Sequence, residues 1–395
     1  MCTVFLCGCD SLVQYLPIGH NEKDTETSVV DIDEVEEYVI PEPLESDGLI
    51  YDMLSDLEKS IYTRLYYSVL NGETECVMKK APIGEYEAAI PRVVKAFLFE
   101  HPELFYYNSG YSYTRSSSEP DAIGTIKLRL SEYSFYSDSD KKQEMISALN
   151  ERVDVIVKKA SSLTSDYEKV LFVHNEIVNT TVYDTESASS LSGDGMTHEQ
   201  QMTHTAYGAL VNHSAVCDGY SKAFGIILTA LDIENLYVTG YGKTTAHAWS
   251  CVKIGGEFYY IDLTWDDPSA VNLPTKNNVT YTYFAMTTEQ LERTHTIDDH
   301  FTYPVCTATE YSYYRYNGMY LDKYTFKSFS SIVEAQKDSS SIYIAFSTKE
   351  EYERALKDVI TNGRFSSIPL LSGSSLRYSR DDDNFVLTIY PQSAK

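Results

Sequence analysis

Ala246-His247-Ala248-Trp249-Ser250-Cys251-Val252-Lys253-Ile254-Gly255-Gly256-Glu257-Phe258-Tyr259-Tyr260-Ile261-Asp262-Leu263-Thr264-Trp265 is the stretch on which the fold turns. Two arms rich in β-branched and aromatic residues flank Gly255-Gly256. That pair is a two-residue turn signal, because glycine tolerates the positive φ of type I′ and II′ turns. With the glycines at the tip, Ile254 opposes Glu257, Trp249 opposes Asp262 and His247 opposes Thr264. Side chains alternate along a strand, so His247, Trp249, Asp262 and Thr264 share one face. His247 is then the diagonal neighbour of Asp262 at about 7–8 Å between backbones, a gap that two converging side chains close. A slip of one residue would put them on opposite faces.

Upstream, Val216, Tyr220, Phe224, Ile227, Leu228 and Leu231 recur at helical spacing, which predicts a buried helix from near Cys217 to about Leu231. A thiol in the first turn of a helix feels the positive end of the dipole and the unpaired backbone N–H groups there. Both favour thiolate, and an imidazolium nearby would favour it further. The same N–H groups can hold an oxyanion during acyl transfer. Asp218 opposes this unless its carboxylate turns to solvent or caps the helix. A thiol nucleophile needs an imidazole base, and the base needs a carboxylate to fix its tautomer. Cys217, His247 and Asp262 stand in the chain as that set. Alone, each would more often be a packing residue; together, in matched settings, they point to a site.

These residues carry a family resemblance. Ala-Val-Cys-Asp-Gly-Tyr-Ser (215–221), His-Ala-Trp-Ser (247–250) and Tyr-Ile-Asp-Leu-Thr-Trp-Asp-Asp-Pro (260–268) resemble the bacterial transglutaminase-like, papain-related core. That family usually reads Gly-Val-Cys-x-Gly-Tyr-Ala, His-Ala-Trp-Asn and Asp-x-Thr-Trp-Asp. Ala215 and Ser250 depart from it at flanking positions. The resemblance implies an α+β fold with a Cys-bearing helix packed on an antiparallel sheet, and a Cys217–His247–Asp262 triad. It also implies thiol-dependent acyl transfer on amides. Tyr207 resembles a tyrosine often found upstream of the cysteine, a candidate cleft wall or oxyanion donor, and Trp249 is a second candidate wall. Trp265 reads as core packing.

Among other candidates, His174 is in phase with Val170 and Ile177 and reads as a core histidine. His198, His204 and His213 are spaced irregularly, unlike a metal site. His295 and His300 lie beside Asp298 and Asp299 and read as surface residues. There is no P-loop or dinucleotide fingerprint, so neither metal nor cofactor is expected.

The 395 residues exceed one ordinary core, so several domains are expected. A net charge of −26 argues against nucleic acid, whose phosphates it would repel, and suits cationic partners such as lysine-rich peptides. The 34 tyrosines are spread along the chain and read as packing in a sheet-rich protein. Leu6-Cys7-Gly8-Cys9 fits a lipobox, with Cys9 as the lipidated residue, although a basic n-region and long apolar stretch are missing. Residues 21–47 hold eleven acidic residues against one lysine, with Pro41 and Pro43, and read as an extended tether. The expected setting is a lipid-anchored cell surface, or secretion. Of the seven cysteines, Cys76, Cys251 and Cys306 give no disulfide framework by spacing, and Cys251 is expected to be buried near the site.

The organisation read from these signals is a leader at 1–20, an acidic linker at 21–48, an N-terminal α+β domain at 49–137, the core at 138–300 and a C-terminal α+β module at 301–395. Helices are expected over 53–70, 91–100, 138–160 and 165–179, the last with a Ser165/Glu168 capping box. A loop over 185–204 is a candidate lid, and Tyr281–Phe284 a candidate strand. The function expected is hydrolysis of peptide, protein or peptidoglycan-type amides. An amine-accepting transglutaminase, or a non-catalytic surface scaffold on the same fold, is the alternative.

Overall fold

The computed structural model describes residues 44–133, 139–189, 196–267, 279–372 and 376–391. Cys9 and the sequence signals before residue 44 lie outside the described residues.

At the centre is a four-stranded antiparallel sheet in the order Glu257–Ile261, Thr245–Ile254, Asn235–Gly242, His295–Ile297. The hairpin register is the expected one: Ile254 pairs with Glu257 and Ser250 with Ile261. Gly255 and Gly256 have φ of +60° and +94°, which a side chain would strain. The ladder stops at Ile261, one residue before the Trp249–Asp262 pair. Asp262 instead turns the chain into the short helix Leu263–Asp266 by accepting from the backbone N–H of Thr264 and Trp265.

Strand alternation sends neighbouring residues into different cores. Val252, Ile254, Tyr259 and Ile261 pack with the helical layer, against Tyr220, Phe224, Ile227 and Leu228 of Cys217–Ala230. Trp249, Cys251, Leu236, Val238 and Tyr260 pack on the opposite side with the N-terminal domain. That domain sets the helices Asp56–Leu70 and Ile83–Glu100 with a three-stranded antiparallel sheet, Ile123–Glu132 lying between Cys76–Pro82 and Tyr107–Arg115. The sheet carrying His247 is thus apolar on both faces and covered on both. Each large side chain buried there stabilises the stack by about 1.5–3 kcal/mol. The C-terminal residues form a separate sheet, in the order Tyr320–Leu321, Ile342–Phe346, Val386–Tyr390, Arg377–Asp381, under the helices Phe326–Ala335 and Lys349–Ala355.

Several expectations need correction. The second helix begins at Ile83 and carries Pro91 inside it. Proline removes one helical hydrogen bond, but Ile83, Ala89, Ile90, Val93, Val94 and Phe97 are buried along that helix, and their packing holds it. The segment 185–204 contains the helices Thr185–Ser189 and His198–Met202, the second with a Thr197/Gln200 capping box. Tyr281–Phe284 is a turn: the Tyr283 N–H goes to Asp266 Oδ1 at 3.0 Å, not to a strand partner, and Tyr281 stacks on Tyr313. His295 is buried, not on the surface. The end of the acidic stretch is docked, with Asp47 2.8 Å from His101 Nε2.

Candidate active site

The approach to Cys217 is pinned before its helix begins. Ser214–Ala215 pairs in parallel with Val182–Tyr183, and the Val216 N–H donates to the Thr203 carbonyl at 3.0 Å. Val216, as N-cap, has no side-chain acceptor for the first-turn N–H groups of Cys217–Ala230. Gly219, two residues after the cysteine, is needed for close approach: a Cβ there would lie 2.4 Å from the Thr203 carbonyl oxygen. These contacts hold the sulfur at the positive end of a buried helix.

The structure brings Cys217, His247 and Asp262 together. His247 Nε2 is 2.8 Å from Asp262 Oδ2, and the imidazole is also hydrogen-bonded to Cys217. With Nε2 committed to the carboxylate, Nδ1 is the nitrogen left for sulfur. Burial by itself pulls the His247 pKa down, but the charge and hydrogen bond of Asp262, with the Cys217 contact, lift it to about 10. Burial pushes Asp262 the other way, and the two histidines bonded to it hold its carboxyl well below the usual range. Both directions describe one coupled imidazolium–carboxylate pair.

Asp218 neither turns to solvent nor caps its helix. It is buried, accepts a hydrogen bond from the Tyr237 hydroxyl, and faces His204 Nδ1 at 3.2 Å and Lys222 Nζ at 3.7 Å. Those partners offset the negative charge beside the thiol. Cys217, Tyr237 and Ala248 form a small apolar cluster, and Phe99 of the N-terminal domain packs on it with its ring 4.6 Å from that of Tyr237. Cys217 is 7% exposed.

Trp249 is fully buried and stacks beside His247 at 5.8 Å, and its indole N–H has no hydrogen-bond partner among the described residues. Trp265 is only half-buried and flanks His247 at 5.6 Å and His295 at 4.4 Å. Tyr207 stacks on Phe105 at 5.1 Å and packs in the helical core. His174 is buried, with Nδ1 3.2 Å from Asn175 Oδ1 and Nε2 facing Asp266 Oδ2 at 3.3 Å without hydrogen-bond alignment. Cys251 is buried behind Trp249, its sulfur 3.9 Å from that of Cys306.

Sequence reasoning missed one member of the site. His295 Nε2 reaches Asp262 Oδ2 at 3.2 Å, and its Nδ1 lies 2.8 Å from Thr294 Oγ1. Its neighbours Thr294, Thr296, Asp298 and Asp299 give the segment a surface composition, so only the fold reveals it. The donor atoms of His247, Asp262 and His295 lie within 4.8 Å of one another and could ligate a metal ion. Both imidazole nitrogens are already spent on one carboxylate oxygen, so a metal would have to break both bonds.

Residues 154–263 match the family model of the Transglutaminase-like superfamily. The span includes Cys217, His247 and Asp262, and the chain carries a transglutaminase-like core of α+β class. Two solved structures are similar to part of it. One is a TGase, 18% identical over 38% of this chain and 43% of that one, with a TM-score of 0.27. The other is a candidate cysteine protease from Cytophaga hutchinsonii, 17% identical over 38% of this chain and 61% of that one, with a TM-score of 0.23. The chain spans less than half the length of the first and about three fifths of the second. No curated protein matches the chain.

Proposed function

We propose that this protein is a thiol-dependent acyl-transfer enzyme that hydrolyses peptide or cell-wall amides, with Cys217 as nucleophile. The supporting observation is the hydrogen-bonded line from Cys217 through His247 to Asp262, 2.8 Å at its second link, inside a transglutaminase-like core. The Cys217 thiolate attacks the amide carbon, and the carbonyl electron pair moves to oxygen. First-turn N–H groups of the cysteine helix stabilise that oxyanion. Collapse expels the amine, which takes its proton from His247 and leaves a thioester on Cys217. Water, deprotonated by His247, then attacks the thioester carbon; the C–S bond breaks, the acid leaves and the thiolate–imidazolium pair is restored. Asp262 stays ionised throughout and holds the imidazole. Transfer of the thioester to a primary amine would use the same residues. Attachment to a cell surface through Cys9 belongs to the same reading, and the mass of the mature N-terminus tests it.

Labelling with an amide-derived electrophile tests the site. Among the described cysteines Cys76, Cys251 and Cys306 are at most 2% exposed, so peptide mapping should place the label on Cys217 rather than on them, and that labelled peptide should be absent from Cys217→Ala. Unreactive Cys217, with labelling indifferent to His247→Ala, would favour a non-catalytic scaffold. A peptide and muropeptide library, with and without a primary amine, then separates hydrolysis from transfer.

A further inference from the structure

We infer that His295 is a positioning residue, a second imidazole that locks the Asp262 carboxylate for His247; this rests on the proposed Cys217–His247–Asp262 site. The hydrogen-bond inventory carries the inference. Asp262 Oδ1 accepts from the backbone N–H of Thr264 at 2.9 Å and of Trp265 at 3.2 Å. Oδ2 faces His247 Nε2 at 2.8 Å and His295 Nε2 at 3.2 Å. An ionised carboxylate has about four acceptor positions, and all four are filled by N–H donors.

The second ring nitrogen of His295 is held as well. Nε2 must carry hydrogen to donate to Asp262, and Nδ1 lies 2.8 Å from Thr294 Oγ1, whose hydroxyl also reaches the Leu291 carbonyl at 3.5 Å. His295 thus adds a second imidazole N–H to Asp262 beside that of His247, with both of its ring nitrogens engaged. Its ring cannot turn away. It is completely buried, with Trp265 at 4.4 Å, Trp249 at 4.9 Å and Tyr283 at 5.8 Å around it. The titratable groups facing it are His247, Asp262 and Tyr283, with Asp266 beyond Asp262. His295 lies on the edge strand His295–Ile297, paired to Asn235–Gly242, so closing the sheet is what delivers the second donor.

The test measures the rate of Cys217 alkylation by iodoacetamide from pH 5 to 10 on the full chain, with near-ultraviolet circular dichroism to confirm folding. His295→Leu keeps apolar volume but no donor. The expected result is about a tenfold slower reaction at pH 7, as for one lost hydrogen bond to a charged group, with the profile moved toward that of an ordinary thiol. His295→Gln, which keeps an N–H at similar reach, is expected to stay within about threefold of wild type. Thr294→Val leaves the ring in place but removes the hydroxyl that holds Nδ1, and should shift the profile the same way as Leu; it serves if His295→Leu does not fold. A wild-type profile in folded Leu and Val variants, or equal loss in Gln and Leu, would overturn the inference. His247→Ala separates the two levels. If it abolishes neutral-pH reactivity while His295→Leu does not, only the role of His295 falls; if it changes nothing, the proposed site falls with it.

Discussion

Replacing Asp262 by Asn probes the site where its energetics are most concentrated. Oδ1 would still accept from Thr264 and Trp265, so the helix start survives. The amide nitrogen, however, would face His247 Nε2 and His295 Nε2, two donors against a donor. His247 must then move its hydrogen to Nδ1, toward the sulfur, and loses the ability to take a proton there. The imidazole pKa of about 10 stands well above the ordinary 6.5, equivalent to about 5 kcal/mol in favour of imidazolium, with the Asp262 charge its leading support. Without it the thiolate–imidazolium pair reverts to neutral partners. A thiol with an ordinary pKa near 8.5 is only about 3% thiolate at pH 7. Alkylation of Cys217 by iodoacetamide at pH 7 should therefore slow about thirtyfold, and its pH dependence should follow that of a simple thiol. A folded Asp262→Asn protein that alkylates at the wild-type rate, with an unchanged profile, would refute this account of the site.

Stability should depend on pH in a direction the same residues set. Raised His247 contributes stability fully present below about pH 6.5 and lost as pH climbs through about 10, while lowered Asp262 contributes stability that is lost as pH falls below about 4. Urea midpoints should thus fall more between pH 6.5 and 10 in wild type than in His247→Ala. Buried Asp266, pushed up to about 6 by burial, costs stability as pH rises from about 4 to about 6, a loss that then stays constant; Asp266→Asn keeps the acceptor for Tyr283 and should raise stability at pH 8 by up to about 3 kcal/mol, read by thermal melting. Phe99→Ala should speed Cys217 alkylation several-fold by uncovering the cluster on which Phe99 packs, at a cost of about 1–2 kcal/mol in stability. Gly219→Ala should lower the melting temperature sharply, since the new methyl would collide with the Thr203 carbonyl oxygen, and soluble yield reports it.

Local signals account for the parts of this fold that could be read directly. Gly255-Gly256 set the hairpin register, the spacing of Tyr220, Phe224 and Ile227 marked the cysteine helix, and Ser165 with Glu168 capped Asp166–Thr180. Features that depend on distant partners escaped. Asp218 is held by Tyr237, nineteen residues on, and His204, fourteen residues back. Tyr283 gives its N–H to a buried carboxylate, so an aromatic run that suits a strand becomes a turn. The strand Cys76–Pro82 is interrupted by a register shift between Met78 and Ala81, which hides its alternation. His295 sits in a polar run whose burial follows only from an edge-strand pairing.

A sheet with apolar residues on both sides sets a limit on dissection. Cutting this chain to the stretch that matches the family, 154–263, would strip the N-terminal domain from Trp249, Cys251 and Tyr260 and delete the edge strand bearing His295. The excised fragment would keep Cys217, His247 and Asp262 and still present an oily wall to water, with the Thr264, Trp265 and His295 donors to that carboxylate gone. Aggregation of such a fragment would therefore say nothing against the chemistry, and the smallest unit worth assaying reaches from the first helices through at least Ile297.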